Sequence, residues 1–152
     1  MPIKIIAVGK KHESWVAEGI DRYQKRLKRP FQIEWVHLPH SPQSDTAARH
    51  DESGHILSRL NVDDYVVLLD EKGKNIDSPL LSKLLLNPLE SSQQVVVIIG
   101  GSYGVDETLI DRANFVWSLS HLVFPHQLVR LILVEQIYRA QEIAAGNPYH
   151  HE

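Results

Sequence analysis

Short runs of β-branched and other apolar residues alternate along the chain with longer segments whose apolar positions recur every three or four residues. The short runs are typical of buried strands, and the longer segments are typical of amphipathic helices. The predicted strands are 3–8, 31–38, 65–69, 95–99 and 115–119, and the predicted helices are 12–28, 47–60, 77–87, 106–113 and 127–145. This alternation favours an α/β fold with a mainly parallel sheet.

One stretch combines the strongest strand signal with two loops. Residues 95–99 are all Val or Ile, and Gly100 and Gly101 follow them directly. A second apolar run, 115–119, ends in the loop 120–125. We expect the two strands to be neighbours, and open α/β sheets bind ligands in loops at the carboxyl ends of their strands. These two loops are therefore a candidate ligand site.

The last predicted helix, 127–145, is apolar nearly all round and leaves few polar positions. A helix of this kind must be covered on more than one side. The sheet covers one side, and we expect a second copy of the chain to cover the other. The pattern therefore predicts a homodimer.

The composition excludes several classes of site. The 152 residues are interpreted as one domain, 1–152, that buries a large core. The absence of cysteine excludes disulfides, thiolate metal sites and cysteine nucleophiles. His50 and His55 are five residues apart, whereas helical metal pairs are four apart, so no metal site is predicted. The short apolar run at the amino terminus is no signal peptide or membrane span, which favours a cytoplasmic protein.

Positive charge is concentrated at the amino-terminal end, although the formal net charge of the chain is -3. Residues 1–30 carry eight Lys and Arg against three acids, and the remainder carries eight against sixteen. Five of the cations crowd the second half of the first predicted helix: Arg22, Lys25, Arg26, Lys28 and Arg29. Two interpretations stay open, a solvated helix face with cations near the helix carboxyl end and a surface that contacts RNA.

The glycine loop Gly100-Gly101-Ser-Tyr-Gly104 matches neither common phosphate-binding pattern. It does not fit the G-x-G-x-x-G dinucleotide fingerprint, and no Gly-Lys-Ser/Thr sequence closes it as in a P-loop. One interpretation is a turn without a ligand. The other is an adenosine-type ligand that bonds to backbone groups, with Leu69, Gly101 and the loop 120–125 as three walls.

Five motifs carry a family resemblance: Leu-Leu-Asp-Glu-Lys-Gly, Val-Ile-Ile-Gly-Gly-Ser-Tyr-Gly, Trp-Ser-Leu-Ser-His-Leu-Val-Phe-Pro-His-Gln-Leu-Val-Arg, Glu-Gln-Ile-Tyr-Arg-Ala and Asn-Pro-Tyr-His. In this order, and at matching length over the chain, they resemble the RlmH family. Its members are SPOUT-superfamily methyltransferases that act on a pseudouridine in bacterial large-subunit (23S) rRNA. The resemblance implies a SPOUT (α/β-knot) fold with a carboxyl-terminal trefoil knot, S-adenosyl-L-methionine as cofactor and a working homodimer. It also implies 23S rRNA, within the large subunit or the 70S ribosome, as partner.

The resemblance also implies site residues at the matching positions. The cofactor contacts would be Leu69, Gly101, Ser120, His121, Leu122, Val123, Phe124 and Pro125. The predicted catalytic residues are Glu135, Arg139, Tyr149 and His150, with Arg130 and Tyr138 as further candidates on the substrate side. Where the family tail has Arg or Lys after Pro-Tyr-His, this chain has His151, a weaker phosphate ligand, before Glu152.

Methylation of N3 of pseudouridine is an in-line displacement that needs a deprotonated nitrogen. The candidate bases are His150, Glu135 and His126, and Arg139 or Arg130 would hold the anion or a phosphate. Each has a structural alternative, since Glu135 and Arg139 could form only a helical i, i+4 pair and His126 could bond only the loop backbone. The enzyme could also work without a base.

Two other functions stay open. One keeps the cofactor and moves the target to tRNA, as in other SPOUT proteins. The other is a ribosome-associated protein that binds an adenine ligand without catalysis. A weakly acidic chain with one basic segment favours a shaped partner surface, and so the assembled ribosome over free RNA.

Overall fold

The computed structural model describes residues 1–151; Glu152 lies outside them. Its strands are β1 (Ile3–Val8), β2 (Ile33–Leu38), β3 (Tyr65–Lys74), β4 (Val95–Ile99) and β5 (Phe115–Trp117). Its helices are α1 (Ser14–Gln24), α2 (Asp45–Ser58), α3 (Ser78–Glu90), α4 (Glu107–Arg112) and α5 (His126–Ala144). The strands form one sheet in the order β2-β1-β4-β3-β5, and every pairing is parallel. The predicted α/β fold is confirmed.

The helices divide between the two faces of the sheet. Strand side chains alternate between the faces, so Ile5 and Val97 pack in a core shared with α3 and α5, while Ile6 and Ile98 pack with α2 and α4. Helix α1 lies beside α5 on the first face. All five residues of β4 are buried, which explains its uninterrupted run of Val and Ile.

The expectation that β4 and β5 are neighbours is wrong, because β3 lies between them. Val67 of β3 pairs with Val97 on one side and with Phe115 on the other. The chain therefore crosses over β3 between β4 and β5, a non-local arrangement that strand patterns do not specify. As a result Leu69, in β3, lies between the two candidate loops. The trefoil knot stays a prediction.

Two elements extend further than predicted, whereas the predicted helix 12–28 ends earlier, at Gln24, and the predicted strand 115–119 ends at Trp117. Strand β3 continues past Leu69 to Lys74 after a break in its pairing, and its last residue meets Trp117 of β5. Helix α3 continues through Pro88 to Glu90 instead of ending before the proline. Pro88 lies in the last turn, so its missing N–H costs one hydrogen bond without stopping the helix.

The chain itself covers more of α5 than its sequence suggests. The sheet lies under Leu133 and Ile137, and α1 and α3 flank the helix. Leu128 and Ile132 keep partial exposure. The homodimer therefore stays a prediction that concerns only this remaining surface. Within residues 1–151 no helix has both the length and the apolar composition to cross a membrane.

We expect Gly73→Ala to destabilise the chain. A Cβ at Gly73 would lie 2.5 Å from the carbonyl oxygen of Val116, which is backbone and cannot rotate away. The free energy of unfolding in urea should fall by about 1–3 kcal/mol, as for other overpacked positions. Gly54→Ala is the control, because a Cβ there meets nothing within 4 Å. Equal stability of the two variants would contradict the close packing of β3 on β5.

Candidate functional site

A cavity of about 500 Å³ opens at the carboxyl edge of the sheet, where β4, β3 and β5 end. We call it the cofactor cavity. Small-molecule sites are commonly of this size and mostly apolar. Its walls come from the end of β3, the loop after β4, the loop after β5 and the first turn of α5, and they include Asp70, Ile99, Gly100, Tyr103, Trp117, Leu119, His126 and Val129.

Six of the eight predicted cofactor residues line this cavity: Leu69, Gly101, Ser120, Leu122, Val123 and Phe124. The other two, His121 and Pro125, are exposed on the same loop and do not line it. The parallel sheet explains the convergence, since the carboxyl ends of its strands meet at one edge. Sequence reasoning did not assign Trp117 or Tyr103 to the cavity, although both are aromatic residues next to the two candidate loops.

The loop after β5 is held by its own serines. The Ser118 hydroxyl donates to the carbonyl of Ser120 at 2.9 Å, and the Ser120 hydroxyl accepts from the N–H of Leu122 at 3.0 Å. Asn75 donates to the carbonyl of Ser118 at 2.9 Å. Leu122 and Val123 are thereby presented to solvent, with 71% and 83% of their surface exposed. Apolar side chains fixed in this way are suited to contact a ligand or another protein surface.

Gly101 lines the cavity and also makes room behind the loop. A Cβ there would point toward Glu52, 2.5 Å from its Oε1, and not into the cavity. Glu52 is 4% exposed, and its Oε2 accepts from the N–H of Ser41 at 2.9 Å. The glycine therefore leaves room for a buried carboxylate behind the loop.

His126 joins α5 to the glycine loop. Its Nε2 lies 2.9 Å from the carbonyl oxygen of Gly100, and a carbonyl can only accept, so Nε2 carries the hydrogen. Burial, with the positive charge of Arg130, lowers the pKa of His126, although the bond to Gly100 opposes this. His126 is therefore neutral near pH 7, and its lone pair is on Nδ1. The loop-backbone role considered for His126 is present in the structure.

The four predicted catalytic residues form one hydrogen-bonded group, which we call the tail cluster. The carboxylate of Glu135 accepts from Arg139 at 2.7 Å and from the Tyr149 hydroxyl at 2.8 Å. The Arg139 guanidinium lies 4.7 Å from the centroid of the Tyr149 ring. Burial and the bond to Glu135 raise the pKa of Tyr149, so its hydroxyl stays protonated. Tyr138 supports the group from below, with its ring 4.9 Å from that of Tyr149.

The tail cluster also fixes the tautomer of His150. Arg139 Nη1 lies 3.1 Å from Nδ1 of His150, and a guanidinium can only donate. Nδ1 must therefore be the acceptor, and the neutral ring carries its hydrogen on Nε2. Glu135 is similarly occupied, because its Oε1 accepts from Gln136 at 2.8 Å.

Arg130, a further candidate for the substrate side, is away from the tail cluster. It is fully buried, and its Nη1 donates to the carbonyl of Lys10 at 2.8 Å. The same nitrogen lies 3.3 Å from Nδ1 of His12. Arg130 thus anchors the segment after β1. In the described part of the chain, no group of three or more metal-ligating side chains converges.

The parallel sheet and the ligand-sized cavity at its carboxyl edge define an α/β protein of the ligand-binding class. The sequence profile described as "Predicted SPOUT methyltransferase" matches residues 1–150. The chain therefore belongs to the SPOUT methyltransferase family, as its motifs indicated.

Similar proteins carry one common name, Ribosomal RNA large subunit methyltransferase H. The protein of Francisella tularensis subsp. novicida is 39% identical over 154 residues, which cover 99% of each chain. That of Hahella chejuensis is 40% identical over 156 residues and covers 100% of each. That of Clostridium novyi is 40% identical over 158 residues and covers 99% of each.

We expect the stability of the protein to fall in mild acid partly because of His12. Burial, with the charges of His37 and Arg130, lowers the pKa of His12 from 6.5 to about 4. Between these values the unfolded chain binds a proton that the folded chain does not, so the free energy of unfolding decreases as the pH falls. Urea titrations of His12→Gln across this window should show a shallower decrease. Part of the decrease should remain in this variant, because burial also lowers the pKa values of His37 and His126.

His55→Gln is the matched control, because His55 is on the exposed surface of α2. It should keep the slope of the parent protein. A His12→Gln protein with that same slope would show that the His12 ring is not held neutral.

Proposed function

We propose that the chain is an S-adenosyl-L-methionine-dependent methyltransferase that methylates N3 of a pseudouridine in 23S rRNA. It works as a homodimer on the large subunit or the 70S ribosome. The observation that carries the proposal is a second cavity of about 570 Å³, which shares Trp117, Leu119 and Phe124 with the cofactor cavity and is lined by His150. Methyl transfer needs donor and acceptor in contact, and two adjoining cavities allow this. The rRNA target is supported by the names of the similar proteins.

The cofactor cavity fits a nucleoside methyl donor. Leu69, Ile99 and Leu122 supply apolar walls for an adenine ring, and the backbone of the glycine loop supplies hydrogen-bonding groups. Asp70 and Glu71 line the same cavity and can accept from ribose hydroxyls or face a positive charge. When bound, the cofactor supplies an electrophilic methyl group on a positively charged sulfur.

The tail cluster stabilises the nucleophile and does not take its proton. In His150 the lone pair of Nδ1 is occupied by Arg139, and Nε2 is a donor. A donor that faces a carbonyl oxygen of the pseudouridine base stabilises the negative charge that forms when N3 is deprotonated. Glu135 accepts hydrogen bonds from three donors, Gln136, Arg139 and Tyr149, and so holds the cluster together. The acceptor of the N3 proton stays open between solvent and His126, whose lone pair is on Nδ1.

The homodimer is supported by one remaining surface. Trp15 on α1 is 51% exposed, and Leu128, Leu131 and Ile132 of α5 line a groove beside it. The exposed tip of the loop after β5, Leu122 and Val123, adds apolar area. A second copy of the chain would cover these apolar side chains, and their removal from water would stabilise the dimer.

The first test measures the cofactor and the target. Titration calorimetry should detect binding of S-adenosyl-L-methionine to the parent protein. Leu122→Ala should weaken this binding about tenfold, or about 1.4 kcal/mol, because a wall contact of the cavity is lost. Val62→Ala is the control, because Val62 is 90% exposed and does not line the cavity. With a labelled methyl group, ribosomes from a strain that lacks the enzyme should accept label at pseudouridine. Label only in tRNA, or no binding of the cofactor, would refute the proposal.

The second test concerns His150. Two-bond ¹H–¹⁵N spectra should show the neutral ring with its hydrogen on Nε2, and Arg139→Met should mix the two tautomers because the donor to Nδ1 is lost. His150→Phe should lower turnover by about 10²-fold, the effect typical of one donor to a developing anion. Cofactor affinity should not change in either variant.

Arg59→Met, on the exposed end of α2, is the control for loss of an arginine. It should leave both the spectrum and turnover unchanged. A parent spectrum with the hydrogen on Nδ1 would contradict the role given to Arg139.

A further inference from the structure

The loop between β1 and α1, residues 9–13, lies at the same edge as the cofactor cavity. β1 and β4 are parallel neighbours, with Ala7 opposite Ile99, so the loops that follow them are adjacent. Helix α5 joins the two loops. Its first residue, His126, bonds Gly100, and the next, Gln127, accepts from the N–H of Glu13 at 3.0 Å.

Buried groups hold this loop in place. Arg130, one turn further along α5, donates to the carbonyl of Lys10 at 2.8 Å. Gly9 has φ +127°, a conformation that side chains rarely adopt, and a Cβ there would lie 3.0 Å from Nε2 of His40. The backbone of the loop is therefore anchored, while the side chains of Lys10 and Lys11 are exposed to solvent.

The positive charge of this loop is only partly offset, since its two lysines, Lys10 and Lys11, are accompanied by one acid, Glu13. Within residues 1–151 no ion pair involves Lys10 or Lys11. Beneath them the guanidinium of Arg130 is fully buried, and its Nε and Nη2 have no partner among the residues described. A buried charge without a counter-ion is costly, and a nearby anion lowers that cost. The charge of Glu13 opposes the lowering of the Arg130 pKa that burial causes, but no ion pair joins the two side chains in the part of the chain that the structure describes.

The other basic segment is at the opposite edge of the molecule. α1 runs back along the sheet, so its carboxyl end lies away from the cofactor cavity. There the N–H of Lys28 donates to Gln141, near the far end of α5, at 2.6 Å, and Gln141 donates to the carbonyl of Arg26 at 3.2 Å. Arg26 and Lys28, two of the cations considered as an RNA contact from sequence, therefore lie away from the cofactor cavity, whereas Arg22 lines a groove with Glu135.

We infer that the loop of residues 9–13 is a phosphate-binding surface that holds the RNA backbone beside the target nucleotide. The inference rests on the proposed function, since it assumes an RNA substrate. Lys10 and Lys11 contact phosphates directly, and Arg130 fixes the loop and adds positive charge beneath it. Phosphate contacts position a nucleic acid without reading its sequence, which suits a loop at the same edge of the sheet as the cofactor cavity.

The test measures RNA affinity against salt. Because replacing Arg130 removes a buried anchor, the variant is Lys10→Ala/Lys11→Ala, which changes only exposed side chains. The probe is the 70S ribosome from a strain that lacks the enzyme, titrated against fluorescein-labelled protein. Two lost phosphate contacts should reduce the slope of log K against log salt by about 1.4–1.8 and weaken binding about tenfold at low salt.

Lys25→Ala/Arg26→Ala is the matched control, since it removes the same charge from exposed positions at the opposite edge. It should keep the slope and bind within about twofold of the parent. Equal losses in the two variants, or no loss in the first, would overturn the inference. Calorimetry with S-adenosyl-L-methionine distinguishes a failure of this inference from a failure of the proposed function. The parent and both double variants should bind the cofactor with equal affinity. A parent protein that binds no cofactor would refute the methyltransferase proposal and not the phosphate-binding surface.

Discussion

The packing of α5 on the sheet is the constraint on which the candidate site depends. Leu133, Ile137 and Ala140 are buried against the strands, and this packing fixes the position of the two ends of the helix relative to the sheet. The first turn thereby meets the glycine loop and the β1–α1 loop, and the later turns carry the tail cluster. A shift of α5 would displace all of these parts at once, because each of them is attached to this one rigid helix.

The candidate site contains a neutral imidazole, His126, and a carboxylate, Glu135, that is surrounded by hydrogen-bond donors. Burial and the positive charge of Arg130 favour the neutral form of His126, whereas Glu135 accepts hydrogen bonds from three donors, Gln136, Arg139 and Tyr149. Both groups are thereby held in fixed orientations. The geometry favours binding and orientation as the main contribution of the protein, as expected for a reaction whose methyl donor is already reactive.

Local patterns predicted much of this fold, because strand and helix signals are local. The run of Val and Ile gave β4 with its observed limits, and the loop after β5 contributes the cavity residues that its motif indicated. Strand order was missed, since β3 pairs between β4 and β5 through contacts distant in sequence. The burial of a long side chain was not predicted either, because Arg130 points under the β1–α1 loop and its sequence position does not show this.

The carboxyl-terminal segment is ordered before any substrate arrives. Tyr149 lies on the ring of Tyr138 and under Arg139, and His150 is held by the same guanidinium. The entropy of fixing these side chains is lost during folding, so it does not weaken the later association with a large partner. Under the proposed function, this short polar extension is a preorganised template for the target nucleotide, which it meets without first having to be ordered.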